Sequence, residues 1–202
     1  MKILSLLTAG FVALATMAFS PATTVNTGDP VSKSVDLKNS EVVWKGYKVL
    51  GSHTGTIGLK SGNLQFTDGV LTGGQFEIDM NSIVCTDLEG GTADKLVGHL
   101  KSDDFFGVAT YPTAKFVITN AYPYGKNQYK VTGNLTIKET TQSIKFIADV
   151  SENDGVMMAS ADIEVDRSEY DVRYGSGTLV GNLGDNTIYD EFEMQVKIAT
   201  QK

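Results

Sequence analysis

Residues 129–150 read YKVTGNLTIKETTQSIKFIADV. Tyr129, Val131, Gly133, Leu135 and Ile137 alternate with Lys130, Thr132, Asn134, Thr136 and Lys138. After Glu139-Thr140-Thr141 the pattern restarts: Ile144, Phe146, Ala148 and Val150 alternate with Ser143, Lys145, Ile147 and Asp149. A β-strand turns successive side chains to opposite faces, so each run puts apolar groups on one face and polar groups on the other. Two such runs joined by a short polar turn predict an antiparallel hairpin with one wet face.

The same period extends in both directions. Phe76, Ile78 and Met80 alternate with Gln75, Glu77 and Asp79, and Phe192, Met194, Val196 and Ile198 with Glu191, Glu193, Gln195 and Lys197. Thr67-Asp68-Gly69, Tyr122-Pro123-Tyr124-Gly125 and Asn153-Asp154-Gly155 read as turns. Extended segments are expected at 35–49, 54–60, 62–67, 70–80, 113–120, 128–138, 142–151 and 155–165, with a last one near 188–200. The edges of a sheet of that size are a liability unless it closes on itself, so the expected fold is all-β, an antiparallel barrel of about eight strands. One stretch departs from the pattern. Between Ser82 and Tyr111, Leu96 and Leu100 are four apart and follow Gly90-Gly91-Thr92, which predicts a short helical insertion over 93–101 with Thr92 as N-cap. Ser102 would cap a second turn, with Asp103 and Asp104 at its start. Phe105 and Phe106 then supply an apolar contact, and the insertion reads as a lid over one barrel end.

The first 22 residues read as a signal peptide: Lys2, an apolar run from Ile3 to Phe19, then Ala15, Ala18 and Ala22 as small residues near a cleavage site. Residues 23–34 read as a flexible segment and 35–200 as one domain. Such a chain is expected in the periplasm or outside the cell, with no stable membrane span once the leader is removed. A domain of this size needs no disulfide. Cys85, the single cysteine, reads as a small, partly buried apolar residue. The alternatives are a reactive thiol or pairing between two copies in a homodimer. The net charge is −7 and only Arg167 and Arg173 are arginines, with no basic run, which argues against nucleic acid or an anionic membrane surface as the main partner.

A barrel of about eight strands is either filled by its own side chains or holds one small ligand, and periodicity leaves both open. The run His99-Leu-Lys-Ser-Asp-Asp-Phe-Phe106, followed by Tyr111-Pro112-Thr-Ala-Lys-Phe116, resembles the "HL(K/R)S-x-DFF…YP-x-x-x-F" motif of the YceI-like family. Val131–Lys138 is similar to that family's "V-x-G-x-LTI-x" strand, Arg167–Tyr170 to its "R-x-(D/E)-(F/Y)" element, and His53 ahead of Gly55 to its early "H-x-G" position. The chain departs from the family's pattern at Glu139-Thr140, at Asp171 and in the Trp44-Lys-Gly-Tyr47 strand. The resemblance implies a lipocalin-like, eight-stranded antiparallel barrel of the bacterial periplasm. It also implies a binding protein for polyisoprenoids or similar long amphiphiles, including isoprenoid quinones, for carriage or storage.

On that reading Phe66, Phe76, Ile78, Phe116, Ile118, Val131, Leu135, Phe146, Phe192 and Met194 line the lumen, with Phe105 and Phe106 closing it. Arg167 is a head-group candidate, against a structural ion pair with Asp162, Glu164 or Asp166. No catalytic residue, metal or cofactor is expected, apart from a bound isoprenoid or other lipid. Two alternatives stand beside this. One is an enzyme acting on a lipophilic substrate through His99 with Asp103 or Asp104, which a continuous helix would place on one face. The other is an exported interaction protein with a packed core, using the loops Tyr122–Gly125 and Gly175–Gly184.

Overall fold

A computed structural model describes residues 28–179 and 184–202. The leader assigned to residues 1–22 lies outside the described residues. The strands are β1 (Val31–Ser34), β2 (Glu41–Lys48), β3 (Gly51–Thr67), β4 (Val70–Cys85), β5 (Thr113–Gly125), β6 (Gln128–Ile137), β7 (Thr140–Asn153), β8 (Val156–Asp166) and β9 (Ile188–Ala199). One helix, α1 (Gly90–Lys101), lies between β4 and β5. All strand pairs are antiparallel, in the order β1-β3-β2-β9-β8-β7-β6-β5-β4, and β3 also pairs with β4. That last pairing closes an eight-stranded barrel. β1 is the extra strand: it runs along the part of β3 that β2 does not reach.

The expected all-β fold with a short helical insertion is what forms. The differences lie in segment ends. Residues 54–60 and 62–67 belong to one strand of 17 residues, β3. Its pairing with β4 shifts register between Thr56 and Gly58, between Leu59 and Ser61, and between Gln65 and Phe66. Such bulges bend a strand without ending it, which lets β3 wrap the barrel. The expected strand 35–49 is interrupted after Val35, because the Asp36 carboxylate accepts hydrogen bonds from the Lys38 and Asn39 N–H groups and turns the chain. Val31–Ser34, assigned to the flexible segment, forms β1 on the open side of β3. Tyr122–Gly125 is not a turn. β5 runs to Gly125 and reverses at Lys126-Asn127, where Asn127 takes the left-handed conformation. Pro123 is tolerated there because this end of β5 pairs only with β6.

The helix begins at Gly90 with Glu89 as N-cap and no side-chain capping bond, so Thr92 is inside it. It ends at Lys101, and Ser102 closes it, its N–H and hydroxyl both donating to the His99 carbonyl. Two buried clusters occupy the two ends of the barrel. The upper one includes Val42, Ile57, Met80, Ile83, Phe105, Tyr170 and Val172, and the lower one Val35, Leu64, Phe66, Leu71, Val131, Val150 and Ile198. Among the described residues no helix is long and apolar enough to cross a membrane.

Candidate functional site in the barrel lumen

Along β9 the burial pattern shows what lies between the two clusters. Glu191, Glu193, Gln195 and Lys197 are exposed on the outer face, and Ile198 is buried at the lower end. Phe192, Met194 and Val196 point inward yet are only half-buried. Leu59, Ile78, Leu135 and Phe146 are also only partly buried inside the wall. In a close-packed core such side chains would be fully enclosed. Here they face open space.

That space forms two cavities of about 320 and 130 Å³. Ile78, Leu135, Val165 and Met194 line both, so the two are neighbours along one lumen. The lower cavity is walled by Phe76, Phe116, Ile118, Val131 and Phe146 together with aliphatic neighbours. The upper is walled by Phe105, Phe106 and Phe192, with α1 contributing Leu96, His99 and Leu100. Its few polar groups, among them Lys48, His53, Arg167 and Glu191, come from strand ends.

Eleven of the twelve residues expected to line or close the lumen therefore lie on a cavity wall. Phe66 does not. It is buried in the lower cluster, because its end of β3 is paired with β1 on one side and β4 on the other. Of the two small inward residues, Ala148 faces the lower cavity but Gly133 does not. The Phe116 ring covers Gly133: a Cβ there would stand 2.3 Å from Phe116 Cζ and 2.7 Å from the Val117 carbonyl oxygen.

Sequence reasoning missed the contribution of β2. Trp44, Gly46 and Tyr47 line the upper cavity, and the Trp44 indole N–H donates to the Val84 carbonyl at 3.2 Å. The ring lies over Gly55, where a Cβ would be 2.6 Å from it. Val42, Trp44 and Gly46 do alternate, but the adjacent Val43 and a register shift after Gly46 obscure the phase.

Arg167 is buried at the end of β8 and also reaches the upper cavity. Its Nε, Nη1 and Nη2 donate to the main-chain carbonyls of Tyr189, Val172 and Ile188 at 3.1, 2.7 and 3.0 Å. Its ion-pair partner is Asp190, with Nη2 to Oδ1 at 3.4 Å, rather than Asp162, Glu164 or Asp166. Asp190 is distant in sequence and is brought close only because β8 and β9 are neighbours. Its other carboxylate oxygen accepts from the buried Ser176 hydroxyl at 2.9 Å. Burial pulls the Arg167 guanidinium below its usual range, against the opposing pull of Asp190, Asp166 and Glu191. Burial also pushes the neighbouring Tyr170 phenol up to about 12, helped by Glu169 and Asp166.

The structure does not form the expected pairing of His99 with Asp103 or Asp104. The helix ends at Lys101, the chain turns at Ser102, and both aspartates are exposed outside the cavity. The His99 ring instead packs edge-on against Tyr174 at 4.3 Å and Phe105 at 5.7 Å. Among the described residues no group of three or more His, Cys, Asp or Glu is placed to hold a metal ion.

His53, on the upper cavity wall, contacts the Asp87 carboxylate through Nδ1 at 3.0 Å. The other Asp87 oxygen accepts from the Thr54 N–H and the Cys85 thiol, both at 3.1 Å. Burial raises the Cys85 thiol, and its bond to Asp87 raises it further. Burial would also raise the Asp87 carboxyl, but the bonds from Cys85, Thr54 and His53 outweigh it and bring the group to about 2. A depressed carboxylate contributes stability that is complete above its unfolded pKa, about 4, and is lost as pH falls through the folded value. The anchoring of the start of β3 is therefore expected to loosen between about pH 4 and pH 2. Protection of the Thr54 amide, its exchange rate relative to the intrinsic rate at each pH, should fall as pH drops across that window in the native chain and show no such step in Asp87→Asn.

A closed antiparallel barrel with an apolar, hollow interior and a helix over one end places the chain in the class of hollow β-barrels. Residues 34–200 match the model of the YceI-like domain, and the chain belongs to the YceI-like family. A UPF0312 protein of Shewanella denitrificans is 31% identical over 83 residues, which span 41% of this chain and 41% of that relative. The chain thus matches about two fifths of the length of that curated relative. Among solved structures, Burkholderia cenocepacia BcnA superposes with a TM-score of 0.69 at 24% identity, covering 83% of this chain and 99% of that one. A polyisoprenoid-binding domain from Saccharophagus degradans, implicated in plant cell wall breakdown, superposes at 0.64 with 18% identity, covering 83% and 97%. The Campylobacter jejuni YceI protein does so at 0.52 with 18% identity, covering 100% and 99%. At these identities the likeness establishes the fold.

Proposed function

We propose that this chain is an exported binding protein, not an enzyme, that holds a long apolar amphiphile in its lumen for carriage or storage. A polyisoprenoid, an isoprenoid quinone or a similar lipid fits the wall chemistry. The observation that carries the reading is the half-buried state of inward apolar residues around two adjacent cavities. A chain of methyl-branched units gains about 25 cal/mol per Å² of apolar surface removed from water, so a few hundred Å² stabilise the complex by several kcal/mol before ordering costs. The sequence leader and the polyisoprenoid-binding structural neighbour support the same reading. The location that follows is the periplasm or the exterior.

Native mass spectrometry on protein purified from its own host is the direct test. The expected spectrum contains a species heavier than the mature chain by one lipid, which solvent extraction releases. Protein that carries no lipid, and takes none up from a total lipid extract, would overturn the proposal.

A further inference from the structure

The barrel wall is not zipped along its whole height. β6 and β7 pair continuously from Gln128 against Asp149 to Ile137 against Thr140, and β8 pairs with β9 from Met158 to Asp166. Between β7 and β8 the ladder covers only Asp149–Asn153 against Val156–Ser160. Both strands run on past the last pair. Thr140–Ala148 of β7 and Ala161–Asp166 of β8 are thus each bonded on one side only.

Continuing the register would set Ala148 against Ala161, Phe146 against Ile163 and Lys145 against Glu164, and none of these pairs forms. The unzipped part of β8 is about 20 Å long at the usual rise per residue. Its far end is latched by side chains. Gln142 Nε2 donates to the Glu169 carbonyl at 3.3 Å, and Lys138 Nζ to the Asp171 carbonyl at 3.0 Å. The seam is therefore a window with a vertex and a latch, not a frayed strand end.

The lumen reaches this window. Ile144, Phe146 and Ala148 on one lip, and Ala161 and Ile163 on the other, line the lower cavity. Ser160 lines it too, although it belongs to the exposed, outward set of β8. The vertex is walled by the short side chains of Ala148, Ala159 and Ala161. The two barrel ends are built differently. The lower end is the packed cluster around Leu64, Leu71 and Val131, and the upper end carries α1, Phe105 and the immobilised Arg167.

Resting on the lumen as a lipid site, we infer that the β7–β8 seam is a lateral port through which an apolar chain enters and leaves the barrel. A hydrocarbon tail has no charge to desolvate as it passes between apolar lips, and parting strands that share no ladder bonds breaks none. The port takes the tail of a lipid sideways, with α1 staying in place.

The test uses the full mature chain with Cys85→Ser, which keeps a donor toward Asp87, and the exposed pair Lys145→Cys and Glu164→Cys across the seam. Bismaleimidoethane, or the longer bismaleimidohexane where the shorter does not bridge, links them, as verified by intact mass. The probe is all-trans-retinol, followed by energy transfer from Trp44, the single tryptophan, which lines the upper cavity. Cross-linking is expected to slow association and dissociation together by about tenfold or more, leaving Kd within about twofold, since it changes a path and not the bound state. A control cross-link between Glu164→Cys and Glu193→Cys, facing each other across the fully paired β8–β9 ladder, should leave both rates unchanged. Unaltered rates with the seam bridged, or equal slowing by the control, would overturn the port while leaving the lumen site intact. Absence of retinol binding before cross-linking would overturn both.

Discussion

Arg167→Ala is expected to destabilise the folded chain by about 3–5 kcal/mol, the range for removing one partner of a buried ion pair. The change deletes three donors to main-chain carbonyls, of Val172, Ile188 and Tyr189. These carbonyls belong to the segment after β8 and to the start of β9, so one side chain reinforces backbone that is otherwise joined there by the isolated Ser176–Ile188 bridge. The change also strands the Asp190 carboxylate, which is 7% exposed, without its cation. The guanidinium further packs 5.2 Å from the Phe105 ring, under the cap of the upper cavity. Urea unfolding followed by circular dichroism reads the effect as a fall in midpoint at unchanged slope. Arg167→Lys should recover less than half of the loss, because an ammonium lacks the planar fork that reaches three carbonyls. Arg167→Met combined with Asp190→Leu should recover most of the ion-pair part, since it removes both buried charges. A loss below about 1 kcal/mol for Arg167→Ala would show that the pair is not structural.

The second large effect concerns Leu135, which touches both cavities. In a packed core, Leu135→Trp would overfill the interior and destabilise by about 1–3 kcal/mol. In a hollow lumen the indole enters empty space. Stability is then expected to stay within about 1 kcal/mol or to rise, as filling a cavity restores contacts. Ligand binding should suffer instead. Displacing on the order of 100 Å² of bound tail forfeits about 2.5 kcal/mol, on the order of 100-fold in Kd. Retinol titration and thermal unfolding of the same variant make the comparison. A destabilised variant that binds retinol normally would mean that the lumen is core and the ligand lies elsewhere.

Much of the barrel was legible in the chain because strand periodicity is local. Tyr129–Ile137 and Ile144–Val150 declare their inward faces through alternation alone, and the structure pairs them in the register that alternation requires. The turns at Asp68-Gly69 and Asp154-Gly155 were legible for the same reason, with both residues of each turn at positive φ. Bulges are less visible, since β3 bends at Gly58 and Ser61 without leaving the strand. The α1 boundary and the fate of His99 depended on where the helix stops. Ser102 ends it one residue before the aspartate that a longer helix would have brought alongside.

What the amino-acid order determined by itself was which side chains face inward, because the pleat assigns faces by parity and needs no partner. Whether the inward space is filled or empty was decided only in three dimensions. The Phe116 ring closes the gap over Gly133, whereas the Ala148 side of β7 and the Ala161 side of β8 stay unzipped beside a cavity. The partner of Arg167 was decided there too, since Asp190 lies on another strand. Volume and ion pairing are properties of segments meeting across the barrel, and no local period along the chain encodes them.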